Sequence, residues 1–250
     1  IPDMKVQLPP FVRQIFAKFQ KFGFEIYVVG GSVRDILMKR KVTDWDFTTN
    51  ATPEEILKIF PDAFYDNKFG TVGISHPSSA KPYEITTFRR EIGYTDKRHP
   101  DKVIWGKTLE EDLARRDFTI NATAMDKNLK IIDPYAGQKN LKDKVIRAVG
   151  NPVERFNEDA LRMMRAVRIA AELGFVIEEK TFRAITQHAA SINQIAKERV
   201  RDELFKILAA PFPYEGMVML RNSGLAVQIL PELEATFGIE QKSPGRHHIY

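Results

Sequence analysis

A chain of 250 residues, 43% of them hydrophobic, can bury a sizeable core and has room for more than one domain. Its lack of cysteine excludes disulfides and thiolate metal sites and leaves oxygen-ligand chemistry, while a formal charge of +5 is compatible with a polyanionic partner without requiring one. No apolar run approaches membrane-spanning length and the start at Ile1-Pro2-Asp3-Met4 carries no signal-peptide pattern, so no membrane partner and a cytoplasmic location are expected.

The first ~145 residues alternate short helix-like and strand-like segments. A helix is predicted at 10–22, followed by a strand at 25–29 whose apolar run Ile26-Tyr27-Val28-Val29 reads as buried. Gly30-Gly31-Ser32 then turns into a helix at 32–38, and such a turn leaves backbone N–H groups free to cradle phosphate oxygens. In the next predicted strand, 43–48, Asp44 and Asp46 sit two apart, which puts both carboxylates on one face and Trp45 and Phe47 on the other. A helix at 53–59 starts behind Thr52-Pro53-Glu54, and further strands are predicted at 71–75, 83–88 and 129–132. Beyond a boundary near Gly150-Asn151-Pro152 the chain reads almost wholly helical, with helices at about 157–173, 179–188, 198–208 and 213–223 and stops at Gly174 and Gly224. In the first of these, Leu161, Met164, Val167 and Ala171 form an apolar stripe. Beside it Asp159, Arg162, Arg165 and Arg168 recur every third residue, as a solvated charged face or as a ligand-reading row.

Two carboxylates on one strand face beside a phosphate cradle make a site for paired Mg²⁺ ions, with Asp44 and Asp46 as ligands. Gly30-Gly31-Ser32-Val33-Arg34-Asp35 with the downstream Asp44-Trp45-Asp46 resembles the first motif of the class II tRNA nucleotidyltransferase and bacterial poly(A) polymerase family. Four more segments resemble its later motifs in order: Arg115-Arg116-Asp117-Phe118-Thr119-Ile120-Asn121-Ala122; Asp133-Pro134-Tyr135-Ala136-Gly137; Glu158-Asp159-Ala160-Leu161-Arg162 running to Arg168 and Leu173-Gly174-Phe175; and Glu198-Arg199-Val200-Arg201-Asp202-Glu203-Leu204. The match covers about residues 25 to 208.

The resemblance implies an α+β nucleotidyltransferase head, a small mixed sheet with helices, over 1–148. A helical neck for base recognition would follow at 149–210, and a helical body would begin at 211–250. Family members continue further than Tyr250, so a truncated form is expected. The implied reaction is template-independent addition of CMP and AMP from CTP and ATP to the tRNA 3′ end by two-metal-ion catalysis. Asp44 and Asp46 would hold Mg²⁺, and Glu84 is a candidate third acid. Gly30, Gly31 and Ser32 would donate to the triphosphate from backbone or hydroxyl, with Arg34 as a clamp. Arg115 and Arg116 are candidates for phosphate and ribose, and Asp117 and Asn121 for sugar hydroxyls. Asp117 reads equally as a helix N-cap ahead of Phe118-Thr119-Ile120. The third motif has the chemistry of a tight turn, and the fifth is expected to buttress the nucleotide-reading helix. Arg165 and Arg168 would hold phosphate or orient Asp159.

By the same resemblance Asp159 and Arg162 read the incoming base. A carboxylate only accepts hydrogen bonds and a guanidinium only donates them, so the pair matches an amino group beside a ring-nitrogen acceptor. Cytosine and adenine present that edge, whereas uracil and guanine invert it and would leave desolvated groups unpaired. The polar stretch 91–100 resembles the flexible loop of CCA- and A-adding members, and Arg-Arg-Asp in the second motif looks more like the tRNA enzymes. CCA addition is therefore the leading expectation, followed by A-only addition, poly(A) synthesis and a non-catalytic RNA-binding homologue. One departure is Met38-Lys39-Arg40-Lys41, which stands where members commonly have a glycine after the first-motif helix. The five histidines, His247 and His248 included, show no metal-ligand spacing.

Overall fold

The computed structural model describes residues 7–67, 71–76, 81–92, 102–106, 108–236 and 238. The chain divides into two compact units. Of the described residues, the first takes those up to Asp143 together with Arg147–Gly150, and the second takes Lys144–Ile146 and those from Asn151 onward.

The first unit opens with α1 (Pro10–Lys21), which follows the apolar spacing of Val12, Ile15, Phe16 and Phe19 and stops at Phe22-Gly23, where Gly23 takes φ +80°. Next come β1 (Ile26–Val29), α2 (Gly31–Leu37), β2 (Asp46–Thr49) and α3 (Pro53–Ile59). In α3, Thr52 and Glu55 form a reciprocal capping box: the Glu55 N–H donates to Thr52 Oγ1 and the Thr52 N–H to Glu55 Oε2. The chain continues through β3 (Phe64–Asn67), β4 (Thr71–Ile74), β5 (Tyr83–Thr87), β6 (Arg89–Ile92), β7 (Lys102–Trp105) and α4 (Leu109–Ala114). A 3₁₀ turn at Thr119–Asn121 precedes β8 (Ala124–Met125), β9 (Ile131–Ile132) and α5 (Gly137–Asp143).

Seven strands form one mixed sheet in the order β3-β4-β5-β2-β1-β8-β9, parallel only between β2 and β5. One core joins Val28, Phe47, Val72 and Ile85 of the sheet to Val12, Ile15 and Phe19 of α1, Val33 of α2 and Ile56 of α3. Each of these fully buried side chains contributes about 1.5–3 kcal/mol relative to exposure. A second, smaller cluster joins Val29, Phe88 and Ala124 to Leu109 and Leu113 of α4. β6 and β7 pair as a separate antiparallel ribbon; residues 93–100 of the predicted loop lie outside the described residues, as do His247 and His248.

Short or polar elements escaped the sequence pattern: β3, β6, β7, β8, α4 and α5 offer too few apolar repeats to stand out. Two predicted elements are also redrawn. The second strand starts at Asp46, not at 43, so Asp44 lies in the approach to the ladder. Its carbonyl accepts from the Ser32 hydroxyl instead of a strand partner. The helix exit at Met38-Lys39-Arg40 closes without a glycine: Lys39 itself takes the left-handed conformation (φ +57°), and the Arg40 N–H reaches the Asp35 carbonyl at 2.8 Å in the manner of a Schellman closure.

The second unit contains β10 (Val145–Ile146), α6 (Pro152–Glu158), α7 (Leu161–Leu173), β11 (Val176–Ile177) and α8 (Glu179–His188). A 3₁₀ stretch at Ala189–Gln194 leads to α9 (Lys197–Leu208), α10 (Pro213–Asn222), α11 (Leu225–Ile229) and α12 (Pro231–Glu234). Among its described residues it is helical apart from the two-residue parallel pair β10–β11. The predicted helix at 157–173 is two helices, because Asp159 leaves helical conformation (φ −145°, ψ 107°) and breaks the chain between α6 and α7. α7 buries Leu161, Met164, Val167 and Ala171 as expected and ends on left-handed Gly174. There a Cβ would stand 2.8 Å from the Phe212 ring, so glycine serves both the turn and the packing.

Candidate active site

In the first unit the site grows from the β1–α2 turn. Gly30 adopts φ +67°, and a Cβ on it would stand 2.9 Å from Nη1 of Arg116. Glycine is needed for both reasons. Its N–H donates to the Thr123 carbonyl at 3.3 Å, so it is not one of the free cradle groups; Gly31 and Ser32 form the first positions of α2. The Ser32 hydroxyl is buried and fully engaged, donating to the Asp44 carbonyl at 2.8 Å and accepting from the Asp46 N–H at 3.0 Å. That corrects the expected hydroxyl donation to a triphosphate: this side chain docks the Asp44–Asp46 segment onto the turn.

Trp45 and Phe47 are buried and stack on each other at 6.4 Å, so side-chain alternation does turn Asp44 and Asp46 to the opposite side. Asp44 is half exposed and ion-paired with Lys81, Oδ2 to Nζ at 2.9 Å. Asp46 accepts no hydrogen bond on its carboxylate among the described residues. Burial pushes its pKa up and the charge of Asp44 adds to that, while Arg116, Lys81 and Arg34 oppose it. In the parallel β2–β5 pair Asp46 stands in register with Glu84, which is exposed on the neighbouring strand. No three His, Cys, Asp or Glu residues converge into a ready cation cage among the described residues. The donor set nevertheless suits a hard cation: it is all oxygen, with two carboxylates side by side, one of them held back from ionising by its burial and by its like-charged neighbour despite the nearby arginines and lysine.

The second-motif residues converge on the same turn. Asp112 of α4 is wholly buried and holds both arginines: Oδ1 accepts from Arg115 Nε at 3.1 Å and Nη2 at 2.6 Å, and Oδ2 accepts from Arg116 Nη2 at 3.1 Å. Burial alone would raise the Asp112 pKa, but the Arg115 and Arg116 guanidiniums outweigh it and hold the pKa down to about 2. Arg34 donates from Nη1 to Asn121 Oδ1 at 3.3 Å and pairs with Asp35 at 3.0 Å. Asn121 Nδ2 in turn donates to Asp117 Oδ1, which also accepts the Phe118 N–H at 2.8 Å. Asp117 therefore braces the 3₁₀ turn without being its N-cap, a position taken by Phe118. The third motif is the expected tight turn. Asp133 accepts the N–H groups of Gly137 (2.7 Å) and Gln138 (2.9 Å), and Gly137 lies so close to the Thr119 carbonyl that a Cβ would stand 2.3 Å from it.

In the second unit Asp159 is not on the arginine row of α7 but in the break before it. Its Oδ1 accepts the Leu161 N–H at 2.9 Å, tethering the first N–H of α7 from the residue before the N-cap Ala160, and its Oδ2 accepts from Arg199 Nη2 of α9 at 3.1 Å. Arg162 lies one turn on, its N–H donating to the Asp159 carbonyl, and its guanidinium pairs with Glu158. Arg168 is spent on Glu203 of α9 (2.7 Å) and Glu172 (2.8 Å), so it neither orients Asp159 nor stands ready for phosphate; Arg165 is half-buried on α7. Orienting Asp159 falls instead to Arg199. The bonds of Arg199 to Asp159 and of Glu203 to Arg168 are contacts of the buttressing kind expected of the fifth motif, with the individual pairings unforeseen; sequence reasoning passed over Asp112 and Lys81, and an acid three and four residues before paired arginines was the one signal that could have exposed Asp112.

A signature described as the poly(A) polymerase head domain matches residues 26–147, and one described as a probable RNA and SrmB-binding site of polymerase A matches 174–237. The CCA-adding enzyme of Geobacillus kaustophilus is 46% identical over 230 residues, which are 91% of this chain and 56% of that protein. That of Lactococcus lactis is 47% identical over 242 residues, 94% of this chain and 58% of that protein. The chain thus spans a little over half the length of the curated relatives it matches. Among solved structures, the CCA-adding enzyme of Bacillus stearothermophilus in complex with CTP superposes with a TM-score of 0.80 at 42% identity, over 88% of this chain and 53% of that one. The CCA-adding enzyme of Thermotoga maritima complexed with tRNA does so with a TM-score of 0.74 at 26% identity, over 95% and 55%. No helix among the described residues is long and apolar enough to cross a membrane. Ordered motifs, mixed sheet, helical second unit and these likenesses agree: the chain belongs to the poly(A) polymerase head family, that of the class II tRNA nucleotidyltransferases and CCA-adding enzymes.

Proposed function

We propose that this chain carries the catalytic part of a template-independent RNA nucleotidyltransferase that adds CMP and AMP, from CTP and ATP, to the 3′ end of tRNA. The carrying observation is the gathering of Asp44, Asp46, Arg34 and Arg116 around the Gly30 turn, carboxylates for a cation beside guanidiniums for phosphate. Relatives named as CCA-adding enzymes, and structures of such enzymes with CTP and with tRNA, support the choice of substrates.

Asp44 and Asp46 would hold Mg²⁺, with Glu84 on the adjoining strand as a further oxygen donor. Bound there, the cation would favour ionisation of the RNA 3′-hydroxyl and neutralise charge on the triphosphate and the departing pyrophosphate. Arg34 and Arg116 grip phosphate oxygens by charge-assisted hydrogen bonds, and the first N–H groups of α2, at Gly31 and Ser32, add backbone donors. Asp117 and Asn121 keep Arg34 in place. Asp159 accepts from the amino group of cytosine or adenine, and Arg162 donates to the ring nitrogen beside it. The bonds from the Leu161 N–H and from Arg199 hold the Asp159 carboxylate in one orientation, as discrimination between bases requires.

The test is Mg²⁺-dependent incorporation of labelled CTP and ATP into tRNA lacking its 3′ CCA, with UTP and GTP as competitors. Ordered C, C, A addition is the expected outcome. Incorporation without a divalent cation, or of all four nucleotides alike, would overturn the reading.

A further inference from the structure

The adjacent arginines of the second motif are not equivalent. Asp112, which binds both, carries one negative charge against two positive ones, so the trio keeps a net positive charge in a buried setting. Arg115 gives two of its N–H groups to a single Asp112 oxygen. Arg116 gives only one group to the other oxygen and sends Nη1 on to the Gly30 turn, to within 2.9 Å of where a glycine Cβ would stand. Among the described residues its Nε is buried without a partner, so the guanidinium is held by Asp112 at one corner and by packing against the turn at another. Among the charges that act most strongly on Asp46, Arg116 leads and Arg115 is absent.

We infer that Asp112 is a positioning residue for the incoming nucleotide, anchoring Arg116 against the Gly30 turn, and that Arg115 is the counter-charge of Asp112 and not a second phosphate ligand. This rests on the Gly30 turn being the triphosphate site. Physically, a guanidinium fixed before the ligand arrives loses little freedom on binding, whereas one released from its anchor must be ordered by the ligand itself. The loss should therefore fall on affinity for the triphosphate, equally for every base.

The experiment compares Asp112→Asn, Arg115→Lys and Arg116→Lys in the full 250-residue chain. It reads KM and kcat for CTP and ATP, the Kd for ATP measured without turnover, the CTP-over-UTP preference and the thermal midpoint. Asp112→Asn should raise KM and Kd by about tenfold for CTP and ATP alike, with base preference unchanged, the scale of one charge-assisted contact. Arg116→Lys should do the same, because a point charge cannot hold both the anchor and the phosphate. Arg115→Lys should leave KM within about twofold while lowering the midpoint. On an Arg116→Ala background Asp112→Asn should add no further loss of affinity. Unchanged nucleotide affinity in Asp112→Asn with only a lower midpoint would overturn the inference, as would equal KM increases in Arg115→Lys and Arg116→Lys. That second comparison decides the matter even if Asp112→Asn does not fold. A wild-type chain that neither binds ATP nor incorporates CMP would sink the reading of the site itself, a result separable from either.

Discussion

The two units treat their charges in opposite ways. In the first, Asp46 is largely buried, has no hydrogen-bond donor of its own among the described residues and sits beside Asp44, an arrangement that raises its pKa and costs stability. In the second, the Asp159 carboxylate accepts the Leu161 N–H and is ion-paired with Arg199, and buried Glu203 binds both Arg168 and Lys206. Under the proposed function, the carboxylate left without a donor in the first unit would meet a ligand of opposite sign, and the paired charges of the second would fix the geometry that choosing between bases requires.

Removing the unmet charge is the strongest way to break this contrast. Asp46→Asn should reduce CMP and AMP transfer by about a thousandfold or more, since losing charge stabilisation worth several kcal/mol at the reacting phosphate affects every step. The same variant, heated in the absence of divalent cations at neutral pH, should melt higher than wild type. The sign follows from the raised pKa: ionised Asp46 costs stability at pH values above its folded pKa, and the cost fades as pH falls toward its ordinary value of 3.8. Near wild-type transfer, or a lower melting point, would show that Asp46 is an ordinary surface acid. Asp112 should behave in the reverse sense. Its contribution is complete above 3.8 and is lost as pH falls to about 2, so acid unfolding should begin earlier in wild type than Asp46 alone would allow.

In the second unit, Glu203→Ala should destabilise by about 3 kcal/mol, because it strips Arg168 of its buried partner and leaves only Glu172. Denaturant unfolding measures this, and a change under half a kcal/mol would mean that the α7–α9 ion pair is dispensable. Asp159→Ala should relax discrimination against UTP and GTP by roughly 1–3 kcal/mol, the cost of one unpaired buried polar group, with metal-dependent chemistry retained. Single-nucleotide incorporation of all four NTPs checks it. Loss of overall rate with wild-type preference would assign Asp159 to tethering α7 alone. The smallest effect concerns neither site. Lys39→Gly should stabilise the chain by about 0.5–1 kcal/mol, because the left-handed conformation that strains a lysine suits glycine, less the entropy glycine adds to the unfolded state. A neutral or negative result in thermal melts would locate a compensating contact of the lysine side chain.

Interactions that span a few residues were legible from sequence. The Gly30-Gly31-Ser32 turn, the opposite facing of Asp46 and Phe47, the Thr52 cap and the stop at Gly174 all follow from local backbone geometry, and the structure shows each. Helical periodicity misled at Asp159, because the same every-third spacing arises whether the acid lies on the helix or just before it. The outcome was decided by Arg199, forty positions further on.

By itself, then, the sequence determined the elements that carry the chemistry, the family and the residue types brought to the site, since these depend on side-chain identity and short-range spacing. Tertiary structure decided which polar groups are paired within the fold and which are not. Ser32 is consumed by the Asp44 carbonyl, Arg168 by Glu203, and Asp46 meets Glu84 only because β2 and β5 pair in parallel register. The physical reason is that hydrogen bonds and ion pairs act over a few ångströms in space, whatever the separation along the chain, so their partners are set by how the sheet and helices pack.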